Sequence, residues 1–276
     1  MNSNRWRRGL SVAEKTGLIA LLLALLLGVF ATPYTAAVPL VLFIVVCLIA
    51  PFLPQWSFFL PTICRGKKGA SGIALTFDDG PFPASTPVLL ELLAQYNLPA
   101  TFFVTGKNAA AHPELIDAIL THGHTIGNHS YRHDNLLSLR SYRTIEQDIQ
   151  ETQDILGRAG IRPLVFRPPI GITSPRLQPI LAHLELQTIT FSCRIFDRGN
   201  RDVHDLASKV LKHLRPGDIL LLHDNPPLND DAKIDWSYEL HRLFASLHQA
   251  DRVVPLATLI DYPVMAFLNK QPERQL

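Results

Sequence analysis

The sequence predicts an α/β domain, built on a parallel sheet or a closed β/α barrel, behind an N-terminal pair of membrane-length apolar segments. Three observations predict it. From Ser71 onward, short β-type runs alternate with longer helical patterns, the alternation of parallel α/β folds. Those runs are continuously apolar, as strands covered on both faces are. Before them, no Asp, Glu, Lys, Arg or His occurs from Thr16 to Cys64.

The charge-free stretch holds two candidate spans, Thr16 to Thr32 and Ala36 to Leu53, each long enough at 1.5 Å rise per residue to cross a hydrocarbon layer of ~30 Å. Pro33 and Tyr34 supply a turn between them, and Trp56, Phe58 and Phe59 follow as an interfacial belt. Arg5, Arg7, Arg8 and Lys15 precede the first span, and Arg65, Lys67 and Lys68 follow the second. Basic flanks at both ends place both in the cytoplasm. The chain then reads as a multi-pass protein of the inner membrane whose domain faces the cytoplasm. The competing reading takes residues 1–37 as a cleaved signal peptide. An external domain follows only if the second segment, broken by Pro39 and Pro51, lies in the membrane without crossing it. The organisation expected is a basic segment 1–15, two transmembrane helices in 16–54, a linker 55–70, a domain 71–262 and a tail 263–276.

Within the domain the order runs GIALTF (72–77), a helix near Pro87–Tyr96, ATFFV (100–104), and helices near Pro113–His122 and Ser141–Ala159. It continues with LVFRPP (164–169), a helix at 174–183, QTITFS (187–192), a helix at 203–214, DILLLH (218–223), a helix at 236–249 and VVPL (253–256). The tail after Pro263 is expected to fray. With Lys+Arg 26 against Asp+Glu 24, the formal net charge of +2 is too balanced for a nucleic-acid partner. Cys47 falls in a span, Cys64 beside the membrane, and Cys193 alone in the domain, so the domain has no disulfide framework. Cys193, inside the apolar run TITFSC, reads as packing.

Three polar clusters stand where apolar strands stop, the position at which α/β folds carry chemistry. The first is Thr76-Phe77-Asp78-Asp79-Gly80-Pro81; its adjacent carboxylates repel unless a cation or separate partners divide them, and the same residues also fit a plain turn. The second is Gly127 to His133, in which His129 and His133 are four apart. On one helical turn both imidazoles would face the same way, as a shared metal requires. With Asp79 they make a set of two His and one carboxylate, which leaves positions open for water and substrate. The third gathers Arg167, Asp197 and His223 at later strand ends. No Ser or Thr nucleophile motif and no HExxH helix accompanies them, so the sum points to metal-assisted hydrolysis.

TFDDGP, HSYRH, FRPPIG and LLLHD, in this order, resemble the polysaccharide deacetylase family, also called carbohydrate esterase family 4 or the NodB-homology domain. The resemblance spans residues 73–259. It implies a distorted (β/α) barrel of about seven parallel strands and a divalent metal, usually Zn2+, held by Asp79, His129 and His133. It implies further that Asp78 is the general base and His223 the general acid, with Arg167 supporting the base and Asp197 orienting the acid. Leu221 matches an apolar residue of the pocket for the acyl methyl group, and the backbone N–H of Ile170 matches a donor to the oxyanion.

The chain departs from the family at Ile170, where a Tyr is usual, at Arg198, where a Trp is frequent, and at Cys193-Arg194-Ile195, which lacks the usual Asp. The expected activity is removal of an N-acyl group, N-acetyl first, from an amino sugar. The alternatives are an O-acetyl esterase acting on a glycan and a non-catalytic, membrane-anchored carbohydrate-binding protein. Basic residues at the lipid headgroups favour a surface-held substrate. For a cytoplasmic domain this is a polyisoprenyl-linked sugar; for an external one it is peptidoglycan or an exported polysaccharide.

Overall fold

The computed structural model describes residues 9–195, 199–227 and 229–268. Helices α1 (Val12–Phe30) and α2 (Pro33–Ile49) form an antiparallel hairpin. Both start earlier than the apolar pattern alone suggests, because local caps set their ends. Ser11 and Glu14 close a capping box on α1, while Thr32 and Thr35 do so on α2. Pro33 therefore opens α2 at its first position instead of sitting in a turn, where its missing N–H costs nothing. Gly17 lets α1 approach the Phe43 ring, which a Cβ there would meet at 2.9 Å. The outward faces are bare: Leu22, Leu25, Val41 and Leu48 are all exposed. Both helices, the second extended to Phe52, have the length and apolarity to cross a membrane.

The domain is a curled sheet of eight parallel strands in the order β1-β7-β6-β4-β3-β2-β9-β8. Its members are β1 (Thr62–Ile63), β2 (Ala74–Asp78), β3 (Ala100–Val104), β4 (Thr125–Asn128), β6 (Val165–Phe166), β7 (Gln187–Ile189), β8 (Cys193–Arg194) and β9 (Ile219–His223). The sheet has eight strands, in line with the expected number of about seven, and among the described residues β1 and β8 remain unpaired edges, so the barrel is open. Thr62–Ile63, in the expected linker, supplies one edge by pairing with β7. The run VVPL contributes only an isolated bridge from Val253 to Ile73. Of the tail expected to fray, Met265–Phe267 instead forms β10, antiparallel to β5 (Ile161–Pro163), while residues 269–276 lie outside the described residues.

Alternation along each strand sorts two cores. Leu75 and Phe77 of β2, Phe102 and Val104 of β3, and Leu220 and Leu222 of β9 pack with α3 (Thr86–Gln95), α8 (Leu206–His213) and α9 (Asp230–Gln249). Ala74, Phe103, Val165, Ile189 and Ile219 face the other way, toward α10 (Leu256–Ile260). A third cluster joins the hairpin to the domain: Ala13, Ala50, Phe58, Phe59 and Leu60 pack against Leu137, α6 (Tyr142–Arg158) and α7 (Leu177–His183). Backbone bonds from Ala13 N–H to the Phe58 carbonyl (2.9 Å) and from Thr173 N–H to the Pro51 carbonyl (3.2 Å) fix the same joint.

Candidate active site

Thr76 and Asp78 lie two apart on β2 and so share the face opposite Leu75 and Phe77. On the neighbouring strand, Leu221 pairs in register with Thr76 and His223 with Asp78. Arg167 leaves the end of β6 with its guanidinium fully buried beneath them. Its Nη1 donates to Asp78 Oδ1 (2.6 Å) and Thr76 Oγ1 (2.9 Å), its Nη2 donates to the Thr190 carbonyl (3.0 Å), and its Cζ lies 3.9 Å from the centre of the Phe103 ring. A buried guanidinium is tolerable only with partners of this kind.

His129 and His133 are not on a helical turn. They lie in the loop after β4, where Ser130 (φ 67°) and His133 (φ 51°) take left-handed backbone. That folding back, and not a 3.6-residue period, brings the two rings to 4.9 Å between centroids. His129 Nδ1 donates to the Arg167 carbonyl (2.7 Å), which turns its Nε2 toward the carboxylates. Nε2 is 3.5 Å from Asp79 Oδ1 and 3.6 Å from Asp78 Oδ2, while His133 Nε2 is 3.2 Å from Asp79 Oδ1. Asp79 itself is left-handed (φ 79°). Non-glycine residues in such backbone cost ~1–3 kcal/mol each and gather at functional sites.

One oxygen of Asp79 and one ring nitrogen each of His129 and His133 fall within 4.8 Å of one another. Tetrahedral coordination with bonds of ~2.0–2.1 Å spaces its ligands ~3.3 Å apart, close to the 3.2 and 3.5 Å found here. Two imidazoles and one carboxylate suit a borderline divalent cation and leave an open position. Burial opposes charge on Asp79, but the hydrogen bond and charge of His129, then His133 and His223, hold its carboxyl well below the usual range. Burial likewise opposes charge on His129, and Asp78 followed by Asp79 overcomes it, raising that imidazole. His133 is lowered, by burial first and by His129 second.

Several partners escaped the sequence reading. Asn225 Nδ2 donates to Asp79 Oδ2 (2.6 Å), and Asn108 Nδ2 donates to the Asp79 carbonyl (2.9 Å). Asp224 is buried below the site. It accepts from Ser85 Oγ (2.7 Å) and Thr86 Oγ1 (2.6 Å), and burial pushes its carboxyl up to about 7. Gly80 must be glycine, because a Cβ there would stand 2.2 Å from Asp224 Oδ2. Asn225 and Asp224 directly follow His223, so a closer look at LLLHDN was the available signal.

Asp78, Asp79, His129, His133 and Arg167 are thus brought together, with His223 at the same level of the sheet. Leu221 is buried on β9, and Ile170 is 44 % exposed in a left-handed turn (φ 51°) three residues beyond Arg167. Asp197 and Arg198 lie outside the described residues.

An open parallel sheet with a buried carboxylate–guanidinium pair beside a three-residue cation cluster defines the class of a hydrolase with a candidate metal centre. The family profile described as polysaccharide deacetylase matches residues 65–189. A chitooligosaccharide deacetylase of Sinorhizobium fredii is 34% identical over 204 residues, covering 71% of this chain and 94% of that relative. A peptidoglycan-N-acetylglucosamine deacetylase of Bacillus cereus is 38% identical over 154 residues, covering 55% and 72%. Among solved structures, a peptidoglycan N-acetylglucosamine deacetylase superposes with a TM-score of 0.66 at 29% identity, over 74% of this chain and 94% of the other. The chain belongs to the polysaccharide deacetylase family and is a hydrolase of the kind these relatives are named for, acting on carbon–nitrogen bonds of N-acetylated amino sugars.

Proposed function

We propose that this protein removes N-acetyl groups from an amino-sugar glycan, with a Zn2+ ion held by Asp79, His129 and His133. The observation that carries the reading is the convergence of those three donors within 4.8 Å, beside an Asp78 whose Oδ1 is tied to Arg167. Bound there, a divalent cation supplies a Lewis acid that polarises the acyl carbonyl and acidifies water. Asp78 keeps Oδ2 for a proton of the attacking water, while Arg167 fixes the carboxylate's direction. The water oxygen bonds to the acyl carbon, and the Ile170 N–H supports the negative charge that develops on the carbonyl oxygen. His223 hands a proton to the sugar nitrogen as the C–N bond breaks, leaving acetate and a free amine. Leu221 lines the space for the acyl methyl group, and Asp197 orients His223.

The two apolar helices span the inner membrane in this reading, and the domain stands on the same side as the N-terminus. The basic flanks put that side in the cytoplasm.

Acetate release from a chitooligosaccharide tests the chemistry. Asp78→Asn should keep the metal and lose ~10²–10⁴ in kcat; undiminished turnover would remove the base. His129→Ala should lose metal and activity together, and an active variant without metal would overturn the reading.

A further inference from the structure

Two loops leave the site and carry apolar side chains out into solvent. The segment after His133 exposes Leu136 (55 %) and Leu139 (74 %), and the turn after Arg167 exposes Ile170 (44 %). A single exposed aliphatic side chain is ordinary, but several grouped on linked loops are informative. The loops are tied to each other, because Ser138 Oγ donates to the Ile172 carbonyl (3.2 Å) and Arg176 Nη1 to the Arg140 carbonyl (3.2 Å). They are tied equally to the foot of the hairpin. Leu137, between the two exposed leucines, is buried with Ala13, Ala50 and Phe58, and Thr173 N–H donates to the Pro51 carbonyl. At that foot Phe52 and Trp56 are exposed as well (66 % and 52 %). The exposed apolar side chains are therefore carried on loops tied to one another and to the foot of the hairpin, where α1 starts and α2 ends.

We propose that this apolar rim beds in the lipid interface and that the site's substrate is an N-acetylated amino sugar carried through a phosphate on a long-chain membrane lipid. The inference rests on the deacetylase reading above and names its substrate class. Aliphatic and aromatic side chains on loops tied to membrane-length helices fit the headgroup–acyl boundary. Arg176, on the linked loops, suits an anionic surface and a lipid phosphate, while the neighbouring Arg140 is paired through Nε with Asp134 Oδ2 (2.6 Å). A sugar on such a carrier sits at the height of the headgroups, where His133 and Ile170 open.

The test uses the full chain in vesicles of phosphatidylethanolamine and phosphatidylglycerol, given either polyprenyl-phosphate-linked N-acetylglucosamine or a soluble chitooligosaccharide. The double variant Leu136→Ser/Leu139→Ser should lose on the order of ten-fold in kcat/KM on the lipid-linked sugar, the factor that ~1.4 kcal/mol of apolar burial supplies. Its turnover of the soluble sugar should not change. An equal fall on both substrates, or no fall on either, overturns the proposal. A second readout needs no turnover. A polarity-sensitive fluorophore on Leu139→Cys, with Cys47 and Cys64 changed to Ala, should be quenched by brominated acyl chains; an unquenched label overturns lipid seating. If the wild-type chain hydrolyses neither sugar, the deacetylase reading fails, and quenching alone then decides the rim.

Discussion

Asn225 shows how much a single amide can set. Asp79 offers Oδ1 to the two imidazoles, and Asn225 occupies its Oδ2 at 2.6 Å, which fixes the carboxylate's rotation. Partners of ligating groups are worth ~10–100-fold in metal affinity. Asn225→Ala should weaken zinc binding by about that factor in a chelator competition, and an unchanged affinity would show that Asp79 needs no such support. His124 makes a different case. It is 6 % exposed, and neither ring nitrogen has a hydrogen-bond partner among the described residues. Burial, with His122 second, pushes it down to about 4. Between pH 6.5 and 4 the unfolded chain binds a proton that the folded one refuses, so stability is lost as pH falls through that window. For His124→Leu, urea midpoints at pH 7 and pH 5 should differ by less than in the wild type. An identical pH dependence would show that His124 contributes none of it. The sequence marked Asn225 only by its place after His223 and left His124 unmarked, since a hydrogen bond to Asp79 and an orphaned ring both depend on neighbours distant in the chain.

Among the elements, legibility followed apolar runs. β2, β3 and β9 each have five residues, all or nearly all buried, and their apolar runs announce them; β6, only two residues long, falls within the run LVFRPP. β1 and β8 have two residues each, too few to show a period, and β4, with Thr, Gly and Asn among its four residues, offers no such run. The histidine pair was legible as a pair but not as a loop, because spacing cannot tell a helical turn from a chain folded back by left-handed residues. β1 also changes where the folded unit begins. Phe58, Phe59 and Leu60 are buried with α6 and α7, and Thr62–Ile63 pairs with β7. A chain starting at Ser57 should therefore unfold at a clearly higher temperature than one starting at Ser71. Each lost aromatic or leucine is worth ~1.5–3 kcal/mol of burial. Equal melting temperatures would mean that the segment only rests on the domain.

At the scale of the whole molecule, the start of α1 and the end of α2 lie together, since Ala13 and Ala50 share one cluster. If the two helices span the inner membrane as proposed, a reporter fused to Leu276 should be active on the cytoplasmic side. A signal from outside would refute the two-span reading and favour wall or exported polysaccharide as substrate. The joint between hairpin and domain has a kinetic meaning of its own. In the proposed reading, a domain packed onto its membrane hairpin with no slack tether works at one height above the bilayer, so a lipid-borne sugar reaches it by lateral diffusion while a soluble one arrives from solution. A lipid-borne substrate is then counted per unit area. Diluting the carrier with inert phospholipid should slow the enzyme, and diluting the vesicles with buffer should not.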